Sequence, residues 1–165
     1  MKAEGRPYTG FLYAGLMISP EGAVKALEFN ARLGDPETQP IMMRLKSDLL
    51  TLFEQAVAGK LHEAEAEWDR RSAVGVVLAA EGYPQTPRTG DVITGLGADD
   101  AETHVFHAGT AQENDAVLTK GGRVLCVTAL GDTLRIARQK SYTRVEAIFF
   151  EGLQYRKDIG WRALK

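Results

Sequence analysis

A short polar run has the composition of a metal and phosphate site. Glu28, Asn30 and Arg32 alternate with apolar or small residues, so in a β-strand all three side chains would point to one face. Carboxylate and amide oxygens suit Mg²⁺, which leaves positions for water or phosphate, and a guanidinium beside them would complement the anion. The pattern makes Glu28 and Asn30 candidate metal ligands. The spacing alone leaves open a strand with a polar, solvated face.

The four residues from Gly34 to Glu37 form a second candidate feature. Gly34 and Pro36 are typical turn residues, and Asp35 and Glu37 add two carboxylates directly after the candidate metal site. Two acids on a sharp turn are suited to hold a substrate amine or a second metal. The alternative is a turn that only leads into a capped helix.

A basic cluster near the end of the sequence is a third candidate. Arg156 and Lys157 are adjacent, and Gly160 permits a bend that returns Arg162 toward the same point. Guanidinium and ammonium groups that converge on a phosphate form charge-assisted hydrogen bonds with it. A solvated tail is the alternative interpretation.

Composition limits the class of protein that carries these residues. The chain has 165 residues, a net charge of -2 and one cysteine, which fits one modest core in a reducing cytoplasm. No global basic field favours nucleic acid or an anionic membrane. Its apolar runs are shorter than the roughly 20 residues needed to cross a bilayer, and no signal-peptide pattern opens the chain.

The elements expected around the first candidate site are a hairpin and two helices. Apolar runs at 11–18 and 24–30, separated by turn residues, predict antiparallel strands. Apolar residues then recur at helical spacing over 41–56, and Asp48 is suited to cap a second helix after a break. Gly59 is a plausible stop.

The remaining sequence predicts a strand-rich second unit. The charged stretch 61–71 is interpreted as a solvated linker, and Asp132-Thr133 is suited to cap a helix that carries Ala137, Ser141 and Val145 on one face. The expected class is therefore α+β. Further strands are predicted at 73–80, 91–93, 103–107 and 122–128, with a loop at 82–90.

The sequence also resembles a known family. The string at 32–39, RLGDPETQ, is similar to the signature of the phosphoribosylamine-glycine ligases, which are ATP-grasp enzymes of purine biosynthesis. The resemblance extends over essentially the whole chain, in segments 10–17, 28–30, 40–48, 107–110, 121–129 and 156–160. It implies the C-terminal part of an ATP-grasp domain at 1–62 and a small strand-rich mixed α/β C-terminal domain at 70–165.

The resemblance implies a reaction and a role for each candidate residue. ATP would phosphorylate glycine, and the amine of 5-phosphoribosylamine would attack the glycyl phosphate to give glycinamide ribonucleotide, ADP and phosphate. Glu28 and Asn30 match ligands of Mg²⁺ or Mn²⁺, and Arg32 would stabilise the transferring phosphoryl group. Asp35 and Glu37 either orient the glycine amine or brace the loop. The substrate-binding set implied is Gly34, Asp35, Pro36, Glu37, Arg156, Lys157 and Arg162.

The same resemblance predicts that a partner is required. The chain starts near the end of the ATP-grasp part and has no glycine-rich loop with a lysine to cradle phosphates, so we expect the missing N-terminal part of the ligase to act with it and the chain alone to be inactive. A non-catalytic module that binds a sugar phosphate or complements another chain is the rival. A different ATP-grasp ligase is disfavoured by the string at 34–37.

Overall fold

The computed structural model describes residues 1–164, which form two compact units. The first unit contains Met1–Thr38 and Leu45–Trp68, and the second contains Gln39–Arg44 and the chain from Asp69 onward. The backbone therefore passes between the units three times. Helices and antiparallel sheets are both present, which confirms the α+β class.

The first unit is built around the expected hairpin. Strand β1 (Tyr13–Ile18) pairs with β2 (Val24–Asn30) in antiparallel register, with an irregularity between Gly15 and Leu16. At the turn, Gly22 has a φ of 85° and donates its N–H to the Ser19 carbonyl at 2.9 Å. Glycine is suited to this left-handed conformation because it has no Cβ.

Two helices follow, as the apolar spacing predicted. Helix α1 spans Thr38–Arg44 and helix α2 spans Leu49–Val57. The Asp48 carboxylate accepts a hydrogen bond from the Thr51 backbone N–H at 2.9 Å, so the expected cap is confirmed. Gly59 lies just after α2 with a φ of 72°. Short 3-10 turns lie at Lys2–Glu4, Leu61–Glu63 and Trp161–Leu164.

The charged stretch 61–71 differs from the solvated linker that was expected. The Lys46 N–H donates to the Glu67 carbonyl at 2.9 Å, and the Asp69 N–H donates to the Arg44 carbonyl at 2.7 Å. The Arg71 guanidinium is held by Asp69 and by Glu102, which it meets at 3.0 Å. The linker prediction is wrong for its second half, because these charges have partners within the protein.

The second unit contains two three-stranded antiparallel sheets and one long helix. In the first sheet the order is β3-β8-β5, and in the second it is β4-β7-β6. The elements are β3 (Ser72–Ala79), β4 (Val92–Ile93), β5 (Thr103–His107), β6 (Thr110–Glu113), β7 (Ala116–Thr119), β8 (Arg123–Gly131) and α3 (Leu134–Ala147). Strands β3, β4, β5 and β8 and helix α3 were predicted; β6 and β7 were not.

The apolar core lies in the second unit. Leu78 of β3, Val127 of β8 and Phe150 are fully buried, and α3 packs Ala137 and Val145 against them as its apolar spacing predicted. The Thr133 side chain accepts from the Ile136 N–H and caps α3. Among the described residues of the first unit only one, a glycine of the turn after β2, is buried.

The hairpin has a set of apolar side chains that stay exposed. Its members, which include Leu16, Ile18, Val24, Leu27 and Phe29, all have about half or more of their surface open to solvent. Phe29 pairs with Ala14, next to the Tyr13–Asn30 pair, and so points to the side opposite Tyr13 and Asn30. No helix within residues 1–164 combines the length and apolarity needed to span a membrane.

Candidate active site

The strand half of the site lies on the other face of the hairpin. Glu28 and Asn30 are two residues apart in β2 and so share one face. Gly15 lies across from Glu28, and Tyr13 lies across from Asn30. A Cβ at Gly15 would stand 3.1 Å from the Glu28 Cγ atom. The glycine therefore leaves room for the Glu28 side chain to lie over β1.

The Asn30 amide is available to a ligand. This residue is half-buried, and its Nδ2 atom is buried without a hydrogen-bond partner among the described residues. An unpaired buried donor is unfavourable, so a phosphate oxygen or a water beside the amide would satisfy it. The amide oxygen is at the same time a hard donor for a divalent cation.

Arg32 lies beyond the strand that was expected to orient it. Strand β2 ends at Asn30, and Arg32 lies in the bend that follows, where its Nη1 donates to the Leu33 carbonyl at 2.9 Å. The expected alternation through Arg32 is wrong because the extended backbone stops two residues earlier. The Arg32 charge nevertheless acts on the Tyr13 phenol, where it opposes the larger effects, led by the charge of Glu37, that raise the pKa of this group.

The loop half of the site is the turn 34–37, which packs against β1. The Tyr13 hydroxyl donates to Glu37 Oε1 at 3.3 Å. A Cβ at Gly34 would lie 2.9 Å from Glu37 Cδ and 3.0 Å from Tyr13 Cε2, so any other residue there would displace the Glu37 carboxylate or the Tyr13 ring. Thr38 fixes the turn, because its N–H and hydroxyl both donate to the Gly34 carbonyl. Asp35 is exposed in the same turn and joins Pro36 through a cis peptide bond.

Tyr13 joins these two halves and was not among the candidates named from the sequence. Its pKa is raised, first by the charge of Glu37, then by burial, the hydrogen bond to Glu37 and the charge of Glu28. Two carboxylates and one guanidinium therefore act electrostatically on one phenol. The signal that identifies it is strand register, because the residue opposite Asn30 shares the face of Asn30.

The C-terminal cluster lies in the second unit and is already partly paired. Arg156 donates to both Asp158 carboxylate oxygens, at 2.9 and 2.6 Å. This pairing raises the pKa of Arg156 and lowers the pKa of Asp158. Lys157 and Arg162 are exposed, and the Arg162 guanidinium lies 5.8 Å from the Trp161 ring centre. Asp158, which was not among the candidates named from the sequence, is the direct partner of Arg156.

Helix α3 anchors the backbone of this cluster. The Tyr142 hydroxyl donates to the Arg156 carbonyl at 2.6 Å and accepts from the Ile159 N–H at 3.1 Å. Arg138 donates to the carbonyls of Ile159 and Lys157, both at 2.8 Å. The loop is therefore fixed through its main chain, and the Arg156 side chain extends to solvent.

The described residues alone do not complete a metal site. Residues 1–164 contain no group of three or more His, Cys, Asp or Glu side chains placed to hold a metal ion. A cation at Glu28 and Asn30 would therefore take further ligands from water or from a phosphate, as Mg²⁺ commonly does.

Comparison with known proteins places this site in a class. Residues 1–38, which carry both halves of the site, match the phosphoribosylglycinamide synthetase ATP-grasp (A) domain, so the first unit contains part of an ATP-grasp domain. Residues 73–162, more than half of the sequence, match the phosphoribosylglycinamide synthetase C domain. The chain belongs to the phosphoribosylglycinamide synthetase family, which confirms the resemblance noted in the sequence.

Individual relatives of the chain support the same family assignment. The chain is 56% identical to a phosphoribosylamine-glycine ligase of Ralstonia nicotianae, over 100% of this chain and 39% of the relative. It is 59% identical to one of Neisseria meningitidis, over 99% of this chain and 39% of the relative. The chain therefore spans about two fifths of the length of these relatives.

Solved structures show the same relationship. The crystal structure of the phosphoribosylamine-glycine ligase of Thermotoga maritima aligns with a TM-score of 0.80 and 40% identity, over 95% of this chain and 38% of that one. A biotin carboxylase domain of the 2-oxoglutarate carboxylase of Hydrogenobacter thermophilus aligns with a TM-score of 0.63 at 15% identity. The second similarity shows the fold alone.

Proposed function

We propose that this chain forms part of a cytoplasmic ATP-dependent ligase that joins glycine to 5-phosphoribosylamine in purine biosynthesis. The observation that carries the proposal is the cluster of Tyr13, Glu28, Asn30 and Glu37, which lies entirely within the residues matched to the ATP-grasp domain. The curated relatives that span the whole chain are phosphoribosylamine-glycine ligases. We assign residues 1–62 to the ATP-grasp part and 70–165 to the C-terminal domain.

The reaction requires charge neutralisation and alignment of three reactants. The γ-phosphoryl group of ATP moves to a carboxylate oxygen of glycine and leaves ADP. The amine of phosphoribosylamine then attacks the carbonyl carbon of the glycyl phosphate, phosphate leaves, and the nitrogen loses a proton as the amide forms. Phosphoryl transfer of this kind depends chiefly on positioning and on electrostatic stabilisation.

The strand half of the site fits the phosphate end of this reaction. Glu28 supplies a carboxylate and Asn30 an amide oxygen for a divalent cation, Mg²⁺ or Mn²⁺. When bound, such a cation neutralises phosphate charge. The unpartnered Asn30 nitrogen then donates to a phosphate oxygen. Arg32, in the bend after β2, stabilises the transferring phosphoryl group.

The loop half fits the amino acid. Glu37 presents a carboxylate that attracts the ammonium group of glycine, and Asp35 adds a second negative charge from the same turn. Gly34 and Pro36 shape this turn, since a side chain at Gly34 would displace Glu37. We therefore place the amino group of glycine at the turn and its carboxylate toward Glu28 and Asn30.

The C-terminal cluster is assigned to the phosphate of phosphoribosylamine. Arg156 already binds Asp158 through two hydrogen bonds, so a phosphate must compete with that carboxylate for the guanidinium. We therefore expect Lys157 and Arg162 to contribute more of the net phosphate affinity than Arg156. The anchoring of this loop by Arg138 and Tyr142 keeps it preorganised.

The test is a chimera in which this chain replaces the matched portion of the Neisseria meningitidis ligase. We expect the chimera to release ADP when given ATP, Mg²⁺, glycine and phosphoribosylamine, and we expect the 165-residue chain alone to release none. The control omits glycine. A folded chimera that binds ATP but forms no amide would contradict the assignment, and turnover by the chain alone would contradict the need for a partner.

A non-catalytic module is the second candidate. The observation that favours it is that the core and the anchored basic loop both lie in the second unit. Such a unit can fold and bind a sugar phosphate without an ATP site. Titration of the chain with ribose 5-phosphate, followed by the amide signals of 156–162, tests this candidate, and an inactive chimera together with tight binding would favour it.

A further inference from the structure

Tyr13 meets both halves of the candidate site, the strand half through its backbone and the loop half through its side chain. Its backbone pairs with Asn30 across the hairpin, and its hydroxyl donates to Glu37 Oε1 at 3.3 Å. The edge of its ring lies against Gly34, where a Cβ would stand only 3.0 Å from Tyr13 Cε2. Strand and turn therefore meet at this ring.

These contacts fix the direction in which the Glu37 carboxylate points. Oε1 is held by the phenol, and Oε2 lies over Gly34, in space that any Cβ would occupy. The Glu37 side chain as a whole is exposed, so a cation from solvent can still reach it. One oxygen is thus held by the phenol, the other has room over Gly34, and the exposed side of the carboxylate stays open.

We propose that Tyr13 is a positioning residue that, by donating its hydroxyl proton to Glu37, holds this carboxylate where it receives the ammonium group of the amino-acid substrate. The inference rests on the proposed function for the identity of that substrate. Tyr13 does not itself touch the reacting atoms. Its contribution is to the affinity for the amino acid rather than to the transfer step.

The charges around Tyr13 favour the protonated phenol, which is the form that can donate a hydrogen bond to Glu37. Glu37 and Glu28 both disfavour the phenolate and raise the pKa of Tyr13, with Arg32 opposing them. The hydroxyl therefore holds its proton more firmly than that of a free tyrosine does. Since the phenol is neutral, the pair retains the single negative charge of Glu37, which suits one ammonium cation.

The first experiment uses the chain itself and requires no activity. With tyrosine labelled at ¹³Cζ, the NMR titration of Tyr13 should have a midpoint above that of a free tyrosine. Glu37→Gln should lower this midpoint, and Glu28→Gln should lower it by less. Tyr8→Phe, which removes a hydroxyl that donates to the Phe11 carbonyl, is the control variant and should leave the Tyr13 midpoint unchanged. An unchanged Tyr13 midpoint in Glu37→Gln would overturn the contact.

The second experiment measures substrate constants in the chimera. Removal of a hydrogen bond to a charged group should raise the Michaelis constant for glycine about tenfold in Tyr13→Phe. The value of kcat and the Mg²⁺ midpoint should change little. Tyr8→Phe is the matched control. In a Glu37→Gln background, Tyr13→Phe should have little further effect on the glycine constant, because the carboxylate that Tyr13 positions is no longer present.

The outcomes of these experiments distinguish the proposed ligase function from the positioning role of Tyr13. A chimera that is inactive with Tyr13 intact refutes the proposed function, while the titration of Tyr13 still decides the contact with Glu37. An active chimera in which Tyr13→Phe leaves the glycine constant unchanged, or raises all three substrate constants equally, overturns the positioning role and leaves the function standing.

Discussion

Replacement of Gly34 by alanine tests the geometry of the site through a single methyl group. Gly34 is buried and does not have a positive φ, so its backbone accepts alanine. The new Cβ would lie 2.9 Å from Glu37 Cδ and 3.0 Å from Tyr13 Cε2. Carbon atoms normally pack about 3.5 to 4.0 Å apart, so the Glu37 carboxylate or the Tyr13 ring must move.

The size of the effect follows from this displacement. The contacts are short by about 0.5 to 1 Å, and a misplacement of about 1 Å near a reacting group can cost about 100-fold. We therefore expect kcat/KM for glycine in the chimera to fall by about 10- to 100-fold, or about 1.4 to 2.7 kcal/mol. The melting temperature of the chain should change little, since Gly34 lies outside the buried core of the second unit.

The assay is the steady-state rate of ADP release at varied glycine, with ATP and phosphoribosylamine held saturating. Gly34→Ala, Glu37→Gln and the double variant complete a cycle. If the methyl group acts by displacing Glu37, the double variant should be no worse than Glu37→Gln. The reasoning would be refuted if Gly34→Ala kept kcat/KM within about threefold of the unmodified chimera, or if the losses of the two single variants simply added in the double variant.

Three further predictions address the core, the basic loop and the metal site. Phe150→Ala should lower the free energy of unfolding by about 3 to 5 kcal/mol in a denaturant titration, because Phe150 is 0% exposed, whereas Phe149→Ala, at 60% exposed, should cost far less. An NMR titration should give Asp158 a pKa below that of a free aspartate, and Arg156→Ala should return this pKa toward the free value. Because the pKa is lowered in the folded protein, the Arg156–Asp158 pair stabilises the fold at pH values above the ordinary aspartate pKa. This stabilisation is lost as the pH falls through the lowered pKa. In the chimera, Glu28→Gln should raise the Mg²⁺ concentration needed for half-maximal turnover, and an unchanged midpoint would contradict its role as a ligand.

Local signals in the sequence were sufficient for most of the fold. Helix α3 was predicted from its cap and from the spacing of Ala137 and Val145, and both contacts are present. The hairpin β6–β7 was missed because β6 is short and polar, and its two-residue turn depends on Asn114 with a φ of 52°. Such a strand is defined by its partner rather than by its own composition.

The candidate site was predictable in composition but not in arrangement. Motif similarity identifies Glu28, Asn30 and Glu37, because each falls within a recognisable string. The role of Tyr13 depends on strand register combined with a turn 24 residues away in sequence, which no local pattern encodes. The pairing of Arg156 with Asp158 was likewise open, because adjacent charges in a sequence do not show which of them meet.

The uneven burial of the two units affects how variants of this protein are interpreted. The buried apolar residues of the described chain all lie at position 74 or beyond, while Tyr13, Glu28 and Glu37 lie in the unit with no such core. Substitutions at these positions should therefore leave abundance and thermal-shift signals near normal even where catalysis is lost. A screen for soluble expression would therefore not distinguish such variants from the unmodified protein, and an activity measurement would be needed to detect them.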